Sequence, residues 1–138
     1  MRHFQIIVDE NMPRRFTLML QYWVSAGQIG SEVGRKGIQD DEIIPRILLE
    51  VKRTTFLTQD RRIYFRERPH PGYCLIIVPE LSVSEIAALV RRLFRVSGFH
   101  TVAERMGKIV RITQEYIHWK ELYQPGEQRQ QWPLSRKR

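Results

Sequence analysis

The chain has little that would tie it to an oxidising compartment, a membrane or a nucleotide-cofactor fold. Of its 138 residues one is cysteine, Cys74, so no intrachain disulfide can form. Set inside Tyr73-Cys74-Leu75-Ile76-Ile77-Val78, that thiol reads as a buried packing group rather than a nucleophile. No apolar run approaches the roughly 20 residues of a membrane span. The first apolar segment starts too near Met1 for a signal peptide, so the cytoplasm is the expected compartment and no membrane partner is expected. His3, His70, His100 and His118 show no metal-ligand spacing. Gly30, Gly34 and Gly37 spell neither a dinucleotide fingerprint nor a P-loop, and read as loop. Internal repeats are lacking. Acidic residues are in deficit too: 15 Asp and Glu stand against 23 Lys and Arg, a formal net charge of +8. Such a surplus favours a polyanionic partner, nucleic acid first, over a basic surface kept for solubility or for an acidic protein.

What the chain does have is a regular alternation of short apolar runs and amphipathic stretches. Phe4 to Val8 is an expected strand, buried on both faces. Asn11 is a plausible N-cap for a helix from Pro13 to about Ala26, with Phe16, Met19, Leu20 and Trp23 on its apolar side and Gly27 closing it. Gln28 to Gln39, without strong periodicity, could hold a short strand around Ile29 to Val33, and a helix follows from about Asp41 to Lys52. The carboxylates of Asp40, Asp41 and Glu42 complement the positive end of that helix, and Pro45 is tolerated near its start. Thr54 to Thr58 and Tyr73 to Val78 are further strands. Ser82-Val83-Ser84-Glu85 fits a capping box opening a helix to about Val96. Lys108 to Thr113 and Tyr116 to Trp119 alternate as a terminal hairpin. This order predicts an α/β three-layer sandwich with a mainly parallel central sheet ending in an antiparallel hairpin. One domain is expected over residues 1–122, with a basic, flexible tail over 123–138.

Three acids fall where such a sheet gathers its ligands. Asp9 and Asp60 each follow a short strand, and Asp40 or Asp41 begins a helix, so all three belong to the carboxyl edge. Taken singly, each suits a cap or a turn. Taken together, clustered carboxylates need a cation, and hard oxygen ligands suit Mg2+ or Mn2+. A divalent ion beside a basic surface implies nuclease chemistry on a phosphodiester. Arg35 and Lys36 are candidate phosphate contacts. Arg61, Arg62, Arg66 and Arg68 flank Tyr64 and Phe65 in a pattern that suits single-stranded nucleic acid, or equally a solvated loop whose aromatics tuck back onto the core.

The run Ile7-Val8-Asp9-Glu10-Asn11-Met12-Pro13, then Asp40-Asp41-Glu42-Ile43-Ile44, then Phe56-Leu57-Thr58-Gln59-Asp60, resembles the PIN-like families of small bacterial proteins. Their pattern is a strand ending "DENLP", a helix opening "DDEI" and a strand ending "T-R-D". His70-Pro71-Gly72-Tyr73-Cys74-Leu75 and Arg105-Met106-Gly107-Lys108-Ile109-Val110-Arg111 resemble one subgroup, so the likeness runs to about Leu122. It implies a magnesium- or manganese-dependent ribonuclease, the toxin of a toxin–antitoxin pair. Asp9, Asp41 and Asp60 would hold the metal, with Asp40 or Glu42 as alternatives for the middle ligand. Glu10, Asn11 and Thr58 would support the site. RNA and a cognate antitoxin protein are the implied partners, and homodimerisation is left open. The chain departs from the pattern at Arg62, which stands where many members carry a further acid. Either Glu10 or another acid completes the set, or the chain is a catalytically degenerate nucleic-acid- or partner-binding module.

Overall fold

The computed structural model describes residues 4–34, 48 and 52–134. The helix expected from Asp41, the acids Asp40, Asp41 and Glu42, and the basic pair Arg35 and Lys36 lie outside the described residues. What is described is an α/β fold with a seven-stranded open mixed sheet and, among the described residues, four helices. The elements are β1 (Ile6–Val8), α1 (Arg14–Leu20), β2 (Ala26–Gln28), β3 (Thr54–Thr58), α2 (Arg62–Arg66), β4 (Tyr73–Ile77), α3 (Val83–Leu93), α4 (Val102–Arg105), β5 (Lys108–Ile112), β6 (Tyr116–Glu121) and β7 (Gln124–Gln131). Strand order is β2-β1-β3-β4-β5-β6-β7. The pairings from β2 through β5 are parallel, and β5–β6 and β6–β7 are antiparallel. Among the described residues no helix is long and apolar enough to cross a membrane.

Both faces of the sheet are covered at its centre, which is why β1 and β4 read as continuous apolar runs. Alternate residues of β4 split between two clusters. Cys74 and Ile76 pack with Phe16 and Leu20 of α1 and Ile86, Val90 and Leu93 of α3. Tyr73, Leu75 and Ile77 pack with Phe56 and with Ile63 and Tyr64 of α2. Helix α3 forms where expected because Ser82 and Glu85 close a reciprocal capping box. Cys74 is fully buried, and burial pushes its thiol up to about 12, as befits an inert core group.

Expectations are corrected at three places in the chain. The first helix is shorter than its apolar spacing implies. It ends at Leu20, and Gly27 lies inside β2 rather than capping α1. The strand expected over Ile29 to Val33 is displaced to Ala26–Gln28, leaving an isolated Ile29–Val33 bridge. The reason is steric: a Cβ on Gly27 would stand 2.9 Å from Val33 Cγ2 and 3.0 Å from the Phe4 ring. Glycine at this position leaves room for the Val33 and Phe4 side chains to pack against β2. Second, Asn11 is not the N-cap. Pro13 holds that position without a side-chain cap bond, and Asn11 belongs to the turn before it. Third, the expected loose tail contains β7, so the β5–β6 hairpin extends to a three-stranded meander and β6 is not the edge. Trp132 anchors it. Its indole is 7% exposed, donates from Nε1 to the Thr113 carbonyl at 2.7 Å and lies under the Arg92 guanidinium. Pro125, which lacks an N–H, is tolerated because β7 is an edge strand.

Candidate metal centre

The strand order reverses direction between β1 and β3. The chain runs from β1 through α1 to β2 on one side, then places β3 on the other side of β1. In an open parallel sheet this switch point opens a crevice outside the carboxyl ends of the two strands. Asp9 follows β1 directly, and Asp60 lies two residues beyond Thr58 at the end of β3. Asp9, Asn11, Met12, Gln59, Asp60 and Arg62 line one cleft of about 160 Å3. Topology therefore brings together two of the acids that the sequence singles out.

Thr58 links them. Its hydroxyl donates to Asp9 Oδ2 at 2.7 Å and accepts the Asp60 backbone N–H at 3.0 Å. Asp9 Oδ1 accepts the Asn11 N–H at 3.3 Å, so Asn11 reaches the acid through its backbone. Asp9 is 7% exposed, while Asp60 is half-buried. Arg62 grips Asp60 in a fork: its Nε donates to Oδ1 at 2.9 Å and its Nη2 to Oδ2 at 3.0 Å, and its backbone N–H also donates to Oδ1. That pairing with Arg62 is the chief cause holding the Asp60 carboxyl below the usual range, so the acid is ionised at neutral pH. The Arg62 side chain is itself 79% exposed. Glu10 sits half-exposed in the turn after Asp9. Among the described residues no third carboxylate, histidine or cysteine joins Asp9 and Asp60 in one group.

The turn that carries Asp9 is held from below by Gln28, whose role the sequence conceals. Buried at the end of β2, Gln28 donates from Nε2 to the carbonyls of Asp9 (3.2 Å) and Met12 (2.7 Å). Its Oε1 accepts from Arg14 and from the Thr17 hydroxyl. Glu32 accepts the Gln28 backbone N–H and forms a bidentate ion pair with Arg14. The guanidinium of Arg14 lowers the Glu32 carboxyl from 4.5 to about 2. A carboxylate depressed in this way stabilises the fold above its unfolded pKa and loses that contribution as pH falls through the folded value. Glu32→Gln is therefore expected to lower the unfolding free energy at pH 7 by about 1 kcal/mol, given the screening around half-exposed Arg14. In urea titrations the gap from the native chain should narrow below about pH 4.5 and close near pH 2.

The basic stretch after Asp60 divides its aromatics. Tyr64 turns inward, 2% exposed, and its hydroxyl donates to Glu127 of β7 at 2.5 Å. Phe65 is 74% exposed and, with Arg66 and Arg68, lines a separate open cleft of about 450 Å3. Arg61 and Arg68 face solvent, whereas Arg66 is paired with Glu67. Of the four arginines of this stretch expected to meet nucleic acid, Arg62 is thus engaged at the acid cleft itself. His118, in β6, stays half-buried beside Glu127, and burial lowers its imidazole further. Comparison with protein-family models, with curated proteins and with solved structures finds no match to the chain.

Proposed function

We propose that the chain is a PIN-like, metal-dependent ribonuclease, the toxin component of a toxin–antitoxin pair, acting on RNA in the cytoplasm. The observation that carries this reading is the meeting of Asp9 and Asp60 in one crevice at the sheet's switch point, joined through Thr58. The motif order stated above supports the same family, and Asp41, or its neighbours Asp40 and Glu42, would supply the next ligand. The hard carboxylate oxygens of Asp9 and of Asp60, the latter held ionised by Arg62, are a donor set that fits Mg2+ or Mn2+. When bound, such an ion supplies a more acidic water and neutralises charge on a phosphodiester. The chain's own residues do the rest. Thr58 fixes the Asp9 carboxylate, and Gln28 fixes the turn that presents it. Arg61, Arg66 and Arg68, with exposed Phe65, offer phosphate contact and base stacking along a strand leaving the cleft.

Arg62 marks the second reading, a degenerate site that binds RNA or a protein partner without cleaving. Its forked bond occupies both oxygens of Asp60. The catalytic reading is favoured because an ion pair with so exposed a guanidinium is worth at most about 1 kcal/mol, which an entering divalent ion readily replaces. The deciding experiment incubates single-stranded RNA with the native chain, Asp9→Asn and Asp60→Asn in Mn2+ or Mg2+. Cleavage by the native chain, abolished by EDTA and by either substitution, is expected. Equal cleavage by all three removes the assigned site, and RNA binding without cleavage by the native chain establishes the degenerate module.

A further inference from the structure

A further concave surface lies at the opposite edge of the sheet. Gln5 immediately precedes β1 and Asp9 immediately follows it, so the two edges are ~13 Å apart along the strand. A cleft of about 530 Å3 opens there, lined by Gln5, Trp23, Ser25, Arg91, Arg95 and His100 among others, and among the described residues no acidic one is in its wall. Arg91, Arg95 and His100 are exposed. Neither arginine makes an ion pair with any described residue, and the Arg91 guanidinium stands 5.6 Å from the centre of the Trp23 ring.

Behind this wall sits a buried cation. Arg105 is 1% exposed and is held by neutral acceptors: Thr55 Oγ1 at 3.2 Å, and the Phe99 and His100 carbonyls and Gln5 Oε1 at 3.0 Å each. Its guanidinium also lies 3.9 Å from the Phe94 ring centre. Glu104 acts on it through space alone, its own oxygens being taken by the N–H groups of Gly98 and Thr101. A buried charge without a contacting counter-ion projects its field through whatever covers it, and here Gln5, Phe94 and His100 cover it. Arg105 also fixes the chemistry of the wall. A guanidinium only donates, so it draws Gln5 Oε1 inward and leaves the Nε2 group as a donor that no described residue accepts.

We propose that this cleft binds a phosphate dianion, carried by a free nucleotide or by the 5′ end of a strand. Arg91 and Arg95 contact its oxygens, Gln5 donates from Nε2, and Trp23 walls the group that bears the phosphate. The proposal stands apart from the ribonuclease reading and needs no metal.

Calorimetric titration in EDTA tests it with AMP, a 5′-phosphorylated single strand and the same strand with a 5′-hydroxyl. Arg91→Gln/Arg95→Gln is expected to weaken binding of the phosphate-bearing probe by about tenfold or more. The charge-matched surface variant Arg15→Gln/Arg129→Gln should bind as the native chain does, and circular dichroism verifies that both variants fold. Tighter binding of AMP than of the phosphorylated strand identifies a free nucleotide, and the reverse identifies a strand end. Equal weakening by both double variants overturns the proposal. So does failure to bind AMP combined with equal affinity for the two strands.

Discussion

Asp9→Asn is expected to lower metal-dependent RNA cleavage by about 100-fold or more, while the fold and the affinity for RNA are kept. The size of the effect follows from how firmly the carboxylate is placed. Asp9 Oδ2 takes the Thr58 hydroxyl at 2.7 Å, that hydroxyl is oriented by the Asp60 N–H, and Gln28 ties down the Asp9 carbonyl. An asparagine keeps the shape and one oxygen acceptor, so Thr58 retains its partner. What disappears is the negative charge that a hard cation requires. Because the arginines proposed to hold RNA lie beyond Asp60, KM should move little and the loss should fall on kcat. Matched melting curves for the two proteins, together with that kcat loss, separate a missing ligand from a damaged fold.

The largest stability effect is expected at Arg105. Arg105→Leu should lower the unfolding free energy by about 3 kcal/mol or more, seen as an earlier midpoint in urea with little change in slope. Replacing a buried ion by an apolar side chain can be neutral when the partners leave with it. Here the partners stay: the Phe99 and His100 carbonyls, Thr55 Oγ1 and Gln5 Oε1 all lose their donor. Arg105→Lys should recover only part of the loss, because an ammonium cannot reproduce a planar fork that reaches four acceptors from one centre. A native-like midpoint for Arg105→Leu would mean that these acceptors find other donors, and would remove the stabilising role given to the guanidinium.

Residue pattern made some of this fold legible and hid other parts for identifiable reasons. Strands β3 and β4 and helix α3 are plain in the sequence because local signals agree with burial: a β-branched, Thr-rich run around Phe56 and Leu57 in the first, an apolar run in the second, and a capping box with an apolar stripe in the third. Strand β2 was not, since Ala26-Gly27-Gln28 has no strand propensity and is fixed by packing against Phe4 and Val33. Strand β7 was concealed by a polar, Gln-rich composition that reads as a tail. Pairing with β6 and the burial of Trp132 order it instead.

At the candidate site, Asp9 and Asp60 were visible because each stands within two residues of the end of a strand that the sequence shows. Gln28 was not, since an isolated glutamine gives no sign that its amide will bridge the turn and the first helix. The same holds for Arg105, which reads as one more surface cation in a chain of net charge +8. Its four neutral acceptors come from segments far apart in sequence, and only the fold gathers them.

Titration with Mn2+ followed by electron paramagnetic resonance tests most directly whether Asp9 and Asp60 form one cation site. The native chain is predicted to take up Mn2+ with loss of the free-ion signal, and Asp9→Asn and Asp60→Asn are each predicted to weaken that uptake by about tenfold or more. Arg62→Ala, which removes the guanidinium from both oxygens of Asp60 and leaves only the backbone N–H on Oδ1, should strengthen it. Undiminished Mn2+ uptake by both asparagine variants, or no uptake by the native chain and Arg62→Ala alike, would contradict the site.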